Sequence, residues 1–431
     1  MEIRLKKLNP WWSSKKSINI DSSIKRKKYL NLLIKLIPSK EILTITGIRR
    51  VGKSTLQLQL IKYLIRSKKV NPKNILFFNI DAFTIQEKNS NALNLLLDEF
   101  YKLKNPKGRI YIFLDEIQNI SDWENWIKSH YDLNKNLKFI LTGSNSKLLH
   151  SELSKLLTGR IFNIQVHPLS FKEFLLFKKY FIKDLVLEKI QLFTYFKEYI
   201  YYGGFPEVVL EKDNSIKIFR LQEYYNGIIL RDVLELNNVR ETKEVLELSK
   251  YLISLSAKLF SYNKLSKIIG LSKTTVKEYF MHLQNAFLFT ELMNFDYSLK
   301  KQLISERKTY AVDTGLINAM SFKFSEDKGR ALENLVFIEL KRRDKEVYFY
   351  KEKKECDFLI RKNLKIVEAI QVCLKVNLDD EKRELEGLLE VMFKYNLKKG
   401  LIITLDDEKQ MKTRGKEILL VPIWKWLLIK N

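Results

Sequence analysis

Gly47-Ile-Arg-Arg-Val-Gly52-Lys53-Ser54 is the stretch of this chain whose residue types and spacing speak most directly of chemistry. Two glycines five apart let a backbone turn tightly and approach a ligand that a side chain would hold away. The loop amides, and the N-terminus of the helix-forming stretch that follows, then point at an anion and offset its charge. Lys53 reaches the β- and γ-phosphates of a nucleoside triphosphate, and the Ser54 hydroxyl is set on a magnesium ion. Gly47, Arg49, Gly52, Lys53, Ser54 and Thr55 are therefore the expected nucleotide-binding residues, with ATP and Mg2+ as the cofactors.

A second stretch supplies acids. Arg109-Ile-Tyr-Ile-Phe-Leu-Asp115-Glu116-Ile-Gln118 reads as a buried parallel strand that ends in two adjacent carboxylates. Asp115 is expected to share the magnesium with Ser54. Glu116 stands where ATPases of the additional-strand class keep the group that orients the attacking water. The run after Leu137 ends in Thr142, Ser144 and Asn145, three candidates for a sensor of the γ-phosphate or of that water. Arg160, which follows Leu156-Leu-Thr-Gly159, is either a catalytic cation that meets transition-state charge, in cis or from a neighbouring subunit, or a structural arginine.

These residues need a scaffold. Ile42-Leu-Thr-Ile-Thr46 and Asn74-Ile-Leu-Phe-Phe-Asn-Ile-Asp81 read as further strands, and helical patterns alternate with them. That order predicts an α/β fold, a P-loop parallel sheet of the additional-strand class. The ligand then lies outside the C-terminal strand ends. The chain has 431 residues, enough for two or three domains. The expected division is an AAA-type P-loop ATPase core over 1–205, a helical linker over 206–240, a winged-helix-like domain over 241–320 and a small α/β domain over 321–431.

Composition narrows the classes. The net charge of +26 points to nucleic acid, although the excess of lysine fits an AT-rich genome or a heat-adapted surface equally well. Four histidines argue against His-based catalysis or a His-rich metal site, and two cysteines, Cys356 and Cys373, make no metal set. No apolar run is long enough to span a membrane, and Met1-Glu-Ile-Arg-Leu-Lys-Lys lacks the core of a secretory signal. A cytoplasmic protein without a membrane partner is expected.

Past the core, Ser170 and Glu173 form a capping box, and Tyr201-Tyr-Gly-Gly-Phe-Pro206 breaks the chain. Asn263 to Leu283 reads as helix, Gly270 turn and second helix, with Ser272 as cap and Lys273, Thr274 and Lys277 facing outward as a recognition helix would place them. Phe287 to Phe295 and Lys308 to Asp313 read as strands of a wing. Further on, a helix carries Glu333, three strands follow near 346, 356 and 365, and a helix and strand close the pattern.

Taken together, Asn9-Pro-Trp-Trp12, Gly47 to Thr55, Leu114-Asp-Glu-Ile-Gln118, Leu157-Thr-Gly-Arg160, Tyr202-Gly-Gly-Phe-Pro206, Lys308-Thr-Tyr-Ala-Val-Asp-Thr-Gly315, Leu332-Glu-Asn-Leu-Val336 and Glu355-Cys-Asp-Phe358 resemble an archaeal and bacterial family of AAA-type ATPases with a C-terminal restriction-endonuclease-like domain. The resemblance implies ATP binding at Gly47 to Thr55. It also implies that Glu333, Asp357 and Gln371 stand where nucleases of that fold hold a metal. Cys373 replaces the lysine of the nuclease pattern, and Lys365 or Lys375 could substitute only from a shifted position. A degenerate, non-cleaving domain is therefore expected. The reading that follows is an Mg-dependent ATPase acting on DNA or a DNA-bound partner. Its alternatives are a slow nucleotide-gated switch that docks protein, and an ATP-dependent nuclease. A DNA partner, a protein partner and a homo-oligomer are each compatible with the sequence.

Overall fold

The computed structural model describes residues 2–13, 23–81, 89–146, 159–321, 328–375 and 378–429. The chain divides into two units, Met1–Val166 with Asn285–Phe287, and His167–Gln284 with Leu288–Asn431. The second begins ahead of the breaker cluster at 201–206.

The first unit is built on five parallel strands: β1 (Ile42–Thr46), β2 (Ile75–Asn79), β3 (Ile110–Asp115), β4 (Leu137–Gly143) and β5 (Ile161–Gln165). Their order is β2-β3-β4-β1-β5. Every residue of β1, β3 and β4 is buried, which is why these strands read as largely apolar runs rather than alternating ones, with Thr44, Thr46, Lys138 and Thr142 the buried polar exceptions ahead of the strand-end acid. Strand β4 lies between the loop-bearing β1 and the acid-bearing β3, as the additional-strand arrangement requires. Neighbouring strands lie about 4.8 Å apart, so β1 and β3 are separated by roughly 10 Å. Their C-terminal ends lie within about one residue of each other, because Thr46 pairs with Gly143 and Leu114 with Leu141 on the intervening β4.

Strand β2 is an edge, and the chain's own N-terminal segment covers it. The Asn9 side chain imitates a strand: its Nδ2 donates to the Phe77 carbonyl at 2.9 Å, and its Oδ1 accepts from the Phe77 amide at 2.7 Å. The indoles of Trp11 and Trp12 both donate to the Ile75 carbonyl, at 3.3 and 2.9 Å. Edge groups that would otherwise invite another chain are thereby satisfied. The paired tryptophans are thus burial and edge-capping residues of the core.

The second unit holds two sheets. Strands β6 (Lys258–Phe260), β7 (Phe289–Met293) and β8 (Arg307–Ala311) form an antiparallel sheet with β8 in the middle. Helices Tyr262–Ile269 and Lys273–Asn285, joined at Gly270, belong to the same stretch of chain. Strands β9 (Glu346–Lys351), β10 (Glu355–Lys362), β11 (Lys365–Val372), β12 (Lys399–Thr404), β13 (Lys409–Thr413) and β14 (Lys416–Pro422) form a mixed sheet in the order β13-β14-β12-β11-β10-β9. The pairing of β10 with β9 shifts register between Cys356 and Leu359, and such an irregularity re-aims side chains. Asp357 sits in it. No described helix is long and apolar enough to cross a membrane.

Candidate functional site

The loop 47–52 leaves β1 and enters the helix Lys53–Arg66. Three of its residues carry positive φ: Gly47 at 140°, Arg50 at 71° and Gly52 at 93°. Gly47 is required twice over. A Cβ there would stand 2.2 Å from the Val166 carbonyl oxygen, and the Val166 amide is already bonded to the Thr46 carbonyl at 2.7 Å. Gly47→Ala is therefore expected to displace the loop, lowering the melting temperature and abolishing nucleotide binding. Strained backbone of this kind costs about 1–3 kcal/mol before the clash is counted. Thermal melts with and without ATP check both effects.

Lys53 is buried, with Nζ donating to the carbonyls of Gly47 at 3.0 Å and Ile48 at 3.3 Å and standing 3.4 Å from Glu116 Oε1. Ser54 hydrogen-bonds the Asp115 carboxylate. Thr142 joins the two acids: its hydroxyl donates to Asp115 Oδ1 and accepts from the Glu116 amide at 2.9 Å. Asn79, level with Asp115 on the next strand, donates to Asp115 Oδ2 at 2.9 Å. Gln118 Nε2 donates to Glu116 Oε2 at 2.6 Å and to Ser144 Oγ at 3.2 Å. Arg49 bonds Asp81 at 3.1 Å and its charge acts on Glu116. Thr55 lies in the first turns of the helix, and Asn145 is fully buried just beyond β4.

The environment separates the two acids. Burial, reinforced by the Glu116 charge, raises Asp115 above the ordinary aspartate range, against its bonds from Thr142 and Ser54. Burial alone would also raise Glu116. The Lys53 and Arg49 charges and the bonds from Gln118 and Ser144 outweigh it and hold that carboxyl down at about 2. Glu116 also has φ 57° and ψ 48°, a left-handed backbone that aims its side chain back towards the loop lysine.

Of the expected site residues, Lys53, Ser54, Asp115, Glu116, Arg49 and Ser144 converge here. Arg160 does not. It precedes β5, where its carbonyl accepts from the Ile42 amide at 2.7 Å, at the start of β1. The loop leaves the other end of β1, about 13 Å away at strand rise. Arg160 instead pairs with Asp132 at 3.3 Å and lies against the Tyr131 ring. Of the alternatives the sequence left open for Arg160, a structural arginine fits this placement, while action on a neighbouring subunit's site is not addressed by it. Residues 156–158 of the stretch leading to Arg160 lie outside the described residues. Asn79, Thr142 and Gln118 form the support that sequence reasoning left unassigned or ambiguous. Gln118 stood in view two residues after Glu116, but only the register shows Asn79 facing Asp115.

A second polar cluster lies in the other unit. Glu333, Asp357 and Gln371 come together from the helix Lys328–Arg342, β10 and β11. The Asp357 amide donates to Gln371 Oε1 at 3.2 Å, and Asp357 Oδ2 accepts from the Val372 amide at 3.0 Å. The expectation that Cys373 leaves the cluster without a cation is corrected: Lys308, from the middle strand β8, enters it. Its Nζ stands 2.9 Å from Glu333, 2.8 Å from Glu355 and 3.1 Å from Asp357. Tyr310, two residues along the same strand, donates to Glu333 at 2.7 Å. Burial would lower the Lys308 amine, but Glu333, Tyr310 and the neighbouring acids push it well above its usual range. Burial and the Asp357 charge raise Glu333 to about 7 against the pull of Lys308.

Comparison with known proteins fits the first cluster. The family described as "AAA domain" matches residues 39–175, the span that holds β1, β3 and β4, and a domain of unknown function (DUF8612) matches 193–327. The uncharacterized protein MJ1544 of Methanocaldococcus jannaschii is 37% identical over 434 residues, covering 94% of this chain and 92% of that protein. An uncharacterized protein of Haemophilus influenzae is 33% identical over 408 residues, covering 93% and 98%. Among solved structures, the RuvB Holliday junction branch migration motor of Thermotoga maritima shares 16% identity over 62% of this chain and 89% of its own, at a TM-score of 0.31, a likeness too slight to carry weight.

Proposed function

The chain belongs to the same family as the M. jannaschii and H. influenzae proteins and carries an AAA domain over 39–175, and on that premise we propose that it binds ATP with magnesium and hydrolyses it at the loop 47–55. The convergence of Lys53, Ser54, Asp115 and Glu116 at the C-terminal ends of β1 and β3 carries this reading. The residues present fit both cofactors. Loop amides and Lys53 would hold the phosphates, while Ser54 and Asp115, already hydrogen-bonded to each other, would hold the magnesium. Magnesium supplies charge neutralisation at the β- and γ-oxygens.

The remaining side chains then have distinct roles. Lys53 leaves the Gly47 and Ile48 carbonyls and Glu116 for the phosphates. Glu116, released from that pair, orients the attacking water and accepts its proton. Thr142 and Asn79 position Asp115, and Gln118 holds Glu116 and Ser144 in line. Ser144 is the sensor candidate best placed to report the state of the water, since Thr142 is committed to the two acids.

We read the helices Tyr262–Ile269 and Lys273–Asn285 with β6 to β8 as a winged-helix-like module, and β9 to β14 with Lys328–Arg342 as a restriction-endonuclease-like domain. The partner is DNA in this reading, supported by the net charge of +26. Steady-state phosphate release with and without duplex DNA tests it. Stimulation that weakens as salt rises is expected. An unchanged rate together with no salt-sensitive binding would favour the nucleotide-gated switch.

A further inference from the structure

The chemistry that Glu333, Asp357 and Gln371 suggest needs a divalent cation between carboxylates, and the residues present do not fit one. The Lys308 ammonium already lies among them, 2.8–3.1 Å from Glu333, Glu355 and Asp357. An ammonium has three N–H donors and no more. It donates to Glu333 and Asp357 and is ion-paired with Glu355. Lys308 is 2% exposed and is anchored on the middle strand of its sheet, so it has little room to withdraw. A metal ligated by the same oxygens would sit about 2.0–2.6 Å from each of them, and so beside a buried like charge. Gln371 Oε1 is engaged by the Asp357 amide. Among the described residues, no group of three or more His, Cys, Asp or Glu side chains is placed to hold a metal ion.

The walls above this floor have the opposite character. The cleft has a volume of about 950 Å³, and Lys328, Arg330, Lys351, Lys353, Lys354 and Lys375 line it with Lys308, seven cations against three carboxylates. The five lysines of the wall are exposed. A concave surface of one net sign concentrates its field and draws in a polyanion, and a nucleic-acid backbone presents a regular row of charges to it. Lys308 neutralises part of the acidic floor that would otherwise repel those phosphates.

We propose that this cleft grips the phosphodiester backbone of DNA without a metal ion and without cutting it, the Lys308 ammonium holding the place a divalent cation would need. The proposal rests on the reading that the chain acts on DNA, and is independent of ATP hydrolysis at the loop.

The test uses the full chain and a labelled duplex of about 30 base pairs, long enough to span the cleft. Binding followed by anisotropy in EDTA is expected to persist. The variant Lys328→Glu/Lys353→Glu/Lys375→Glu should weaken it by about tenfold or more and reduce its salt dependence, with DNA-free ATP hydrolysis unchanged. The duplex should stay intact in Mg2+ or Mn2+. Without nucleotide, Asp357→Asn should leave Mn2+ binding as in wild type, whereas Lys308→Met should gain an Mn2+ site that Lys308→Met/Asp357→Asn loses. No binding in EDTA, wild-type affinity in the triple variant, or metal-dependent cleavage abolished by Asp357→Asn would each overturn the proposal. None of these outcomes touches the ATPase reading, which stands or falls with Lys53.

Discussion

Glu116→Gln is expected to bind ATP as the wild type does while phosphate release falls by about 10²–10⁴-fold, the usual contribution of a positioned acid–base group. The substitution keeps the shape, and an amide oxygen can still accept from Gln118. What it loses is the charge. Lys53 and Arg49 hold the carboxyl at about 2 in the nucleotide-free chain, so Glu116 is ionised throughout the neutral range and needs no proton loss before it acts. Its contribution to stability is present above the ordinary glutamate value and is lost only as pH falls towards 2. Comparing burst and steady-state phosphate release with the affinity for a fluorescent ATP analogue separates the two effects. Near-normal turnover would remove Glu116 from the reaction.

The second large effect falls on binding. Lys53→Ala should weaken ATP by roughly 10- to 100-fold, the equivalent of about 1.5–3 kcal/mol for a hydrogen bond to a charged group. Turnover should fall with it, because the same ammonium meets the γ-phosphate. The variant also leaves Glu116, 7% exposed, without its nearest cation. Some loss of thermal stability is expected, and a melt identifies it. Lys53→Arg keeps the charge and so restores the stability, but its planar head group cannot enter the space that Nζ occupies between the Gly47 and Ile48 carbonyls. It should not restore binding.

The sequence was most readable where one residue type meets one physical demand. The runs before Gly47 and Asp115 are apolar because their strands are buried on both faces, and both appear where the pattern put them. The paired acids at the end of β3 became readable only together with the loop upstream, since two carboxylates at a strand end are common by themselves. Partners from other strands were hidden. Nothing local marks Thr142 as the bridge between Asp115 and Glu116, or Asn79 as the donor to Asp115; both follow from register. Arg160 shows the limit of chain order alone: the sequence left its role open, and only the pairing of β5 with β1 shows that it stands beside the start of β1, away from the loop. Lys308 was hidden for the same reason as Thr142. It lies 25 residues before Glu333 and 49 before Asp357, and only the β8 strand delivers it. Strand β13 alternates weakly and carries few apolar residues, so it gave no signal of its own.

The most direct measurement is steady-state ATP hydrolysis by the purified full chain, with magnesium and with EDTA, beside Lys53→Ala. Magnesium-dependent release of phosphate that the substitution abolishes is the predicted result. A chain that neither binds ATP nor releases phosphate, or one whose Lys53→Ala variant hydrolyses ATP as the wild type does, would contradict the account.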